Sequence, residues 1–246
     1  MPNDQPLNTE TEMSFLDHLE ELRWRIMKSL IAVVIGMIVA AFFADFLVKE
    51  VVLGPLLKVG LKSQVLTPYG IVLTYMQVFI VTGIIGAMPV LLFQLWQFIA
   101  PGLLPHERKY AWWIVFFTSV CFLSGIAFAY FILVPTALTF FSTFGTDVFE
   151  LNIAINEYIS FILSLILGAG LVFELPMITY FLTKIGVLTP AFMRKYRRHS
   201  IVGILIISAV VTPTPDILTQ TLLAAPMILL YEVSIFISKF AQRKSA

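Results

Sequence analysis

The chain has 246 residues, of which 59% are hydrophobic and 13% charged, with sixteen Lys and Arg against fifteen Asp and Glu. A soluble domain carries about 25% charged residues, so this composition excludes a water-solvated globule and describes a polytopic membrane protein whose solvent is the bilayer. A formal net charge of +1 gives no sign of a nucleic-acid partner, and the single Cys121 excludes an intrachain disulfide.

Residues 1–14 are polar and include Asp4, Glu10 and Glu12, whereas a cleavable signal sequence opens with a basic stretch followed at once by an apolar one. The amino terminus is therefore expected to stay on the side of synthesis. SFLDHLEELRWRI, 14–26, reads as an amphipathic helix: Ser14 and Asp17 have capping-box spacing, and Phe15, Leu19, Leu22 and Ile26 recur every three or four residues on one face. Glu21 and Arg25 stand four apart, the spacing of a helix-stabilising pair worth a few tenths of a kcal/mol, about 0.2–0.5.

Apolar runs follow at about 26–47, 71–99, 111–134, 158–183, 200–212 and 217–238. The expected fold class is an all-α membrane protein of six spans, kinked and concave, with short helices 5 and 6. It forms a single domain over 1–246: an amphipathic region 1–25, a bundle 26–238 and a short tail 239–246. Helix 5 is the doubtful span, because Ile201–Val211 is only about 17 Å of helix against a core about 30 Å thick. Helix 6 ends in the polar Thr219, Gln220 and Thr221, beyond a turn at Thr212-Pro-Thr-Pro-Asp216. A short pair with a polar end suggests thinned bilayer or a covering partner, with Gln220 and Leu205 on the docking side.

Thirteen of the sixteen basic residues fall before span 1, between spans 2 and 3, between 4 and 5, and after 6; only Lys49, Lys58 and Lys62 fall elsewhere. The positive-inside rule then places both termini in the cytoplasm. Trp24, Trp96, Trp112 and Trp113 lie near that interface, where indole rings prefer to sit. Pro89, Pro176 and Pro226 each interrupt a span running inward, and each frees a carbonyl four residues back. In the loop WQFIAPGLLPHERKY, 96–110, Pro101 and Pro105 bracket a turn, and Glu107 suits the start of helix 3 as a capping acid.

Glu174 is the anomaly. It lies in an apolar run from Ile159 to Lys184, roughly 15 Å from Lys184 and so near mid-membrane, where an ionisable group requires a reason. One such reason is an ion-coupled secondary transporter using Glu174, which would need recognisable repeats and a second intramembrane polar partner; only Gln220, near the outer end, offers itself, with Glu232 near the inner one. A membrane protease would need a Ser/His pair, a metal-binding helix or two membrane aspartates, and none is present.

Several stretches in order along the chain resemble one family. HLEELRWR (18–25) is similar to the amino-terminal signature of the TatC family, WQFIAPGLLPHER (96–108) to its first cytoplasmic loop, and AFAYFILVP (127–135) to its third helix. FELP (173–176) resembles its mid-membrane glutamate motif, and TPTPDILTQTLLAAPM (212–227) its last hairpin. The resemblance implies a receptor subunit of the twin-arginine protein translocase in a bacterial cytoplasmic (inner) membrane, not an enzyme, with no catalytic residue, metal or cofactor. It would bind twin-arginine signal peptides of folded cargo and assemble with TatA- and TatB-type single-span proteins, with further copies of itself and with lipid. It assigns peptide binding to Glu21 and Glu107, with Phe98 and Leu103 as apolar surroundings and Arg23 and Arg25 orienting Glu21. The expected partner contacts within the membrane are Glu174, Gln220 and Leu205, and the expected structural positions are Pro55, Pro89, Pro176 and Asp216, of which Pro55 fits a first-loop proline found in the family. Where some relatives have an acid near Ala154, this chain has Asn156 and Glu157.

Overall fold

The first apolar run becomes α1 (Phe15–Phe42), and the computed structural model of the chain describes residues 15–99, 111–144, 152–212 and 216–243. A helical turn at Ala44–Phe46 and a π-helical segment at Leu47–Val52 lead into α2 (Gly54–Lys58) and the strand β1 (Lys62–Gln64). The second span is α3 (Gly70–Ile99). The third is α4 (Ala111–Phe128), a π-helical turn Ala129–Leu133 and α5 (Val134–Thr143). After β2 (Asn152–Ala154), the fourth span is α6 (Ile155–Val172) followed by α7 (Leu175–Lys184). A connecting turn, α8 (Pro190–Lys195), then leads into α9 (Arg197–Val211) and α10 (Ile217–Arg243).

Successive spans run antiparallel, so the bundle has a basal face, where α1 begins, and a distal face. Helix α6 is its axis: Ile159, Ile162, Leu165 and Ala169 are fully buried and follow the three-to-four spacing of one helix stripe. By contrast α1 packs chiefly along α3, and Leu30, Ile31, Ile35 and Ile38 stay exposed along its outer side. Such a surface is stable only against lipid.

The α1–α3 crossing is set by glycines. A Cβ on Gly36 would meet the Gly83 carbonyl at 2.7 Å, and one on Gly83 would meet Met37 Cγ at 2.7 Å and its backbone nitrogen at 2.8 Å. Close approach of two backbones is the usual use of small residues between membrane helices. Gly83→Leu should therefore destabilise the protein by about 1–3 kcal/mol through overpacking. Gly86, one turn on, has nothing within 4 Å of its would-be Cβ, and Gly86→Leu should be tolerated. Thermal unfolding of both variants in mild detergent checks this; equal melting points would refute it.

Among the described residues, five helical stretches are long and apolar enough to cross a membrane: His18–Phe42, Gly70–Ile99, Trp112–Thr143, Ile155–Lys184 and Ile217–Gln242. The doubtful α9 has fifteen residues and is not among them. The expectation of a short helix 6 is corrected, since α10 has 27 residues; Lys239 and its neighbours prolong the helix past the apolar run. The prolines also differ. Pro89 and Pro226 lie inside unbroken helices, whereas Pro176 starts α7 after a break at Phe173–Glu174. The third apolar run, read as about 111–134, extends further as helix: the widened π turn before Pro135 accommodates a residue without an N–H, and the helix continues to Thr143.

The distal face is capped by the first loop, which is helical rather than irregular. Val48, Val52 and Leu56 are buried in the main core, and Pro55 is buried at the start of α2. Two phenols pin this segment: Tyr130 donates to the Val51 carbonyl at 3.0 Å and Tyr158 to the Val52 carbonyl at 2.7 Å. Beside it β1 and β2 pair in parallel, Lys62 opposite Asn152. Asn156 accepts from Thr74 Oγ1 at 3.1 Å, giving that polar position a structural use. At the rim Lys49 Nζ lies 3.0 Å from Asp45 Oδ1, and that hydrogen bond and charge raise the lysine's pKa above its ordinary value.

Candidate functional site

The glycine crossing lays the first turns of α1 against the last turns of α3, and this assembles a polar patch at the basal face. Arg25 Nε donates to Glu21 Oε1 at 3.0 Å and its Nη2 donates to the same oxygen. Its Nη1 donates to Gln97 Oε1 at 2.7 Å and to Gln94 Oε1 at 3.5 Å. His18 stacks on Phe98, ring centroids 4.4 Å apart and planes 17° apart, and His18 Nδ1 lies 3.8 Å from Glu21 Oε2. That second oxygen is buried and accepts no hydrogen bond from a described residue.

Glu21 and Phe98 are thus brought together. Arg25 bonds Glu21, whereas Arg23 is exposed and forms no ion pair with a described residue. Leu103 and Glu107, with the Pro101–Pro105 turn, lie outside the described residues. The amphipathic helix is also turned around: its apolar Leu19 and Ile26 are exposed while Glu21 and Arg25 face α3. In a membrane the apolar side belongs outward and the charges face protein.

A second feature lies deeper. A cavity of about 440 Å³ between α3, α4, α6 and α7 is lined by Leu92, Trp96, Thr118, Leu171, Glu174 and Phe181 among others. Glu174 is 5% exposed, and neither carboxylate oxygen finds a hydrogen-bond partner among the described residues. Its backbone does the local work instead: the Glu174 carbonyl accepts from Met177 and Ile178 at 3.0 and 2.9 Å, and its N–H donates to Leu171. An acid that merely sealed the proline break through its side chain would be bonded within the chain, and this one is bonded to no described residue. Trp96, expected at the interface, is 6% exposed inside this cavity. Its Nε1 likewise has no partner among the described residues. Trp24, Trp112 and Trp113 do stand exposed.

The third feature is the α9–α10 seam. Gln220 Nε2 donates to the Leu205 carbonyl at 3.0 Å, joining the two residues expected on one docking side. Asp216 Oδ1 accepts from the Thr219 N–H at 2.6 Å, capping α10. At the basal end Arg197 Nη2 lies 2.6 Å from Glu232 Oε2, and Thr183 and Ser238 hydroxyls meet at 2.8 Å between α7 and α10.

Sequence reasoning missed Gln94, Gln97, His18 and Trp96. The two glutamines stand three apart on one face of α3 (QLWQ, 94–97), a pattern that becomes informative only when α1 is known to lie beside it.

Residues 17–226 match the family model described as Sec-independent protein translocase protein (TatC). A relative of that description from Carboxydothermus hydrogenoformans is 39% identical, the match covering 94% of this chain and 95% of the relative. One from Helicobacter pylori strain J99 is 40% identical over 90% of this chain and 87% of its own. One from Aquifex aeolicus is 38% identical over 94% and 97%. A crystal structure described as the twin arginine translocase receptor TatC superposes with a TM-score of 0.81 at 37% identity, covering 91% of this chain and 99% of that one.

Proposed function

The chain belongs to the TatC family of Sec-independent protein translocases, a multi-pass membrane component of protein transport, and on that premise we propose that it is the receptor for twin-arginine signal peptides. The observation that carries this reading is Glu21: a half-buried carboxylate beside a His18–Phe98 platform, with one oxygen held by a guanidinium and the other without a described partner. A guanidinium is planar, permanently charged and able to bind a carboxylate through two N–H groups. A site already shaped around one such group suits another. Glu107 supplies the second carboxylate, with Leu103 in the apolar surround.

The basal face is the cytoplasmic face of a bacterial inner membrane. Six spans, α9 being the short one, keep both termini there. The receptor works with single-span TatA- and TatB-type partners and with further copies of itself, and Glu174 and the α9–α10 seam are their contacts within the bilayer. Gln220 holds Leu205 with one donor and keeps its carbonyl oxygen for a partner. Interhelical polar contacts of this kind average about 0.6 kcal/mol, so assembly should loosen rather than collapse when Gln220 is replaced. Photocrosslinkers at Leu205 and Gln220 should capture the single-span partners in native membranes; capture of lipid alone, with all partners present, would refute this.

The receptor reading itself is tested by peptide capture. Full-length protein in nanodiscs should bind a fluorescent twin-arginine peptide and discriminate against its twin-lysine counterpart. Equal affinity for both, or uptake of a small solute by proteoliposomes without peptide binding, would overturn it.

A further inference from the structure

We propose that Arg25 is a tethered competitor that occupies the guanidinium site of Glu21 at rest and yields it to an incoming arginine, an inference that rests on the receptor reading above. Three observations converge on it. Arg25 already makes part of the contact expected of a ligand: Nε and Nη2 both donate to Glu21 Oε1, two prongs of the guanidinium fork converging on one oxygen rather than bridging both, an approach an ammonium cannot match. Both side chains are mostly withdrawn from solvent, Arg25 at 16% and Glu21 at 20% exposure, so the carboxylate never waits bare in a poorly hydrated place. Finally, Arg25 has somewhere to go. Its Nη1 is held by Gln97 and reaches Gln94, two neutral acceptors on a different helix.

The arrangement makes exchange stepwise. An arriving guanidinium first bonds Glu21 Oε2, the buried oxygen without a described partner. It then takes over Oε1 while Arg25 shifts its remaining bonds to the two glutamines. Arginine replaces arginine, so the forked contact is lost and regained with little net change. Lysine cannot reproduce the fork, cannot drive Arg25 off and leaves the exchange incomplete. The competitor is thus a specificity device, acting against the cation that a bare carboxylate would accept almost as well.

The proposal predicts the opposite of a structural role. Arg25→Gln in the full-length protein in nanodiscs should tighten binding of a twin-arginine peptide, roughly three- to tenfold for an intramolecular pair of this partly buried kind. It should tighten the twin-lysine peptide still more, so that discrimination narrows. Lys28→Gln, an equal charge change at an exposed position on the same helix, should shift both affinities by less than about twofold. Arg25→Lys, which keeps the charge but not the fork, should fall between wild type and Arg25→Gln. Gln97→Leu removes the resting place and should weaken arginine-peptide binding in the wild-type background only, a non-additivity read by the double variant. Weaker or unchanged arginine-peptide binding by Arg25→Gln, in a folded protein whose wild type discriminates, overturns the competitor alone. A wild type that does not discriminate overturns the receptor reading and the competitor with it. Tightening equal to that of Lys28→Gln also overturns it, because only general charge would then be at work.

Discussion

Glu174→Leu should abolish export of folded cargo while leaving twin-arginine peptide affinity unchanged. The two effects separate because the residue lines the cavity between α3, α4, α6 and α7, whereas the proposed peptide contacts lie on the basal face. Both carboxylate oxygens of Glu174 lack described partners in a cavity of about 440 Å³, so leucine removes no bond to a described residue. It also takes an ionisable group out of the bilayer interior, where one costs several kcal/mol on most scales. The variant should therefore accumulate and fold at least as well as wild type. What leucine cannot do is accept or donate a hydrogen bond to a polar residue on an inserted partner helix, or draw water into the cavity. Glu174→Gln keeps the hydrogen-bonding capacity and should retain substantial export. The decisive comparison measures peptide affinity, partner crosslinking from the cavity and cargo export in both variants. Full export by the leucine variant would reduce Glu174 to a structural detail.

Glu107→Ala should weaken twin-arginine peptide binding by about 1.5–3 kcal/mol, the usual size of a hydrogen bond to a charged group, which is roughly a ten- to hundredfold loss in affinity. Glu21→Ala should lose less. The reason lies in Arg25: at rest Glu21 already has a guanidinium, so the peptide gains there only the difference between two similar contacts. Added salt should weaken the wild type as well, since the patch opens to the aqueous side and exposed ion pairs are screened over about 8–10 Å at physiological ionic strength. Titration of a labelled peptide into each purified variant at two salt concentrations provides the check. Unchanged affinity in both alanine variants would remove the two acids from the site.

The spans were readable because lipid imposes one simple demand, an apolar run closed on its own hydrogen bonds. That is why the 30 residues from Gly70 to Ile99 stand out without any tertiary information. Helix ends and caps obey a different demand. Leu47–Lys58 reads as a loop because it is too short and too broken to cross, yet Val48, Val52 and Leu56 are buried against protein rather than lipid. The strands β1 and β2 have three residues each and are held by a pairing partner distant in sequence, so no local pattern announces them. At the site, Glu21 and Arg25 could be paired from spacing, and Glu174 stood out by its cost alone. The second half of each feature came from other helices. Gln94 and Gln97 reach Arg25 only through the Gly36–Gly83 crossing, and Trp96 shares the cavity of Glu174 only because α3 and α7 meet.

The distal cap sets an order of events during synthesis. Its anchors join residues far apart along the chain: Lys62 pairs with Asn152, and the Val52 carbonyl is met by Tyr158. A ribosome adding about 5–20 residues per second delivers the later partners roughly 5–20 s after the earlier ones. Through that interval the first two spans are a hairpin held by their glycine contact, and the segment above them gains a single anchor, Tyr130 on the Val51 carbonyl, when the third span arrives. The strand pairing and the Tyr158 bond close the cap only once the fourth span has inserted, so a chain arrested after the third span should leave residues 47–64 more open to protease than one extended past Tyr158.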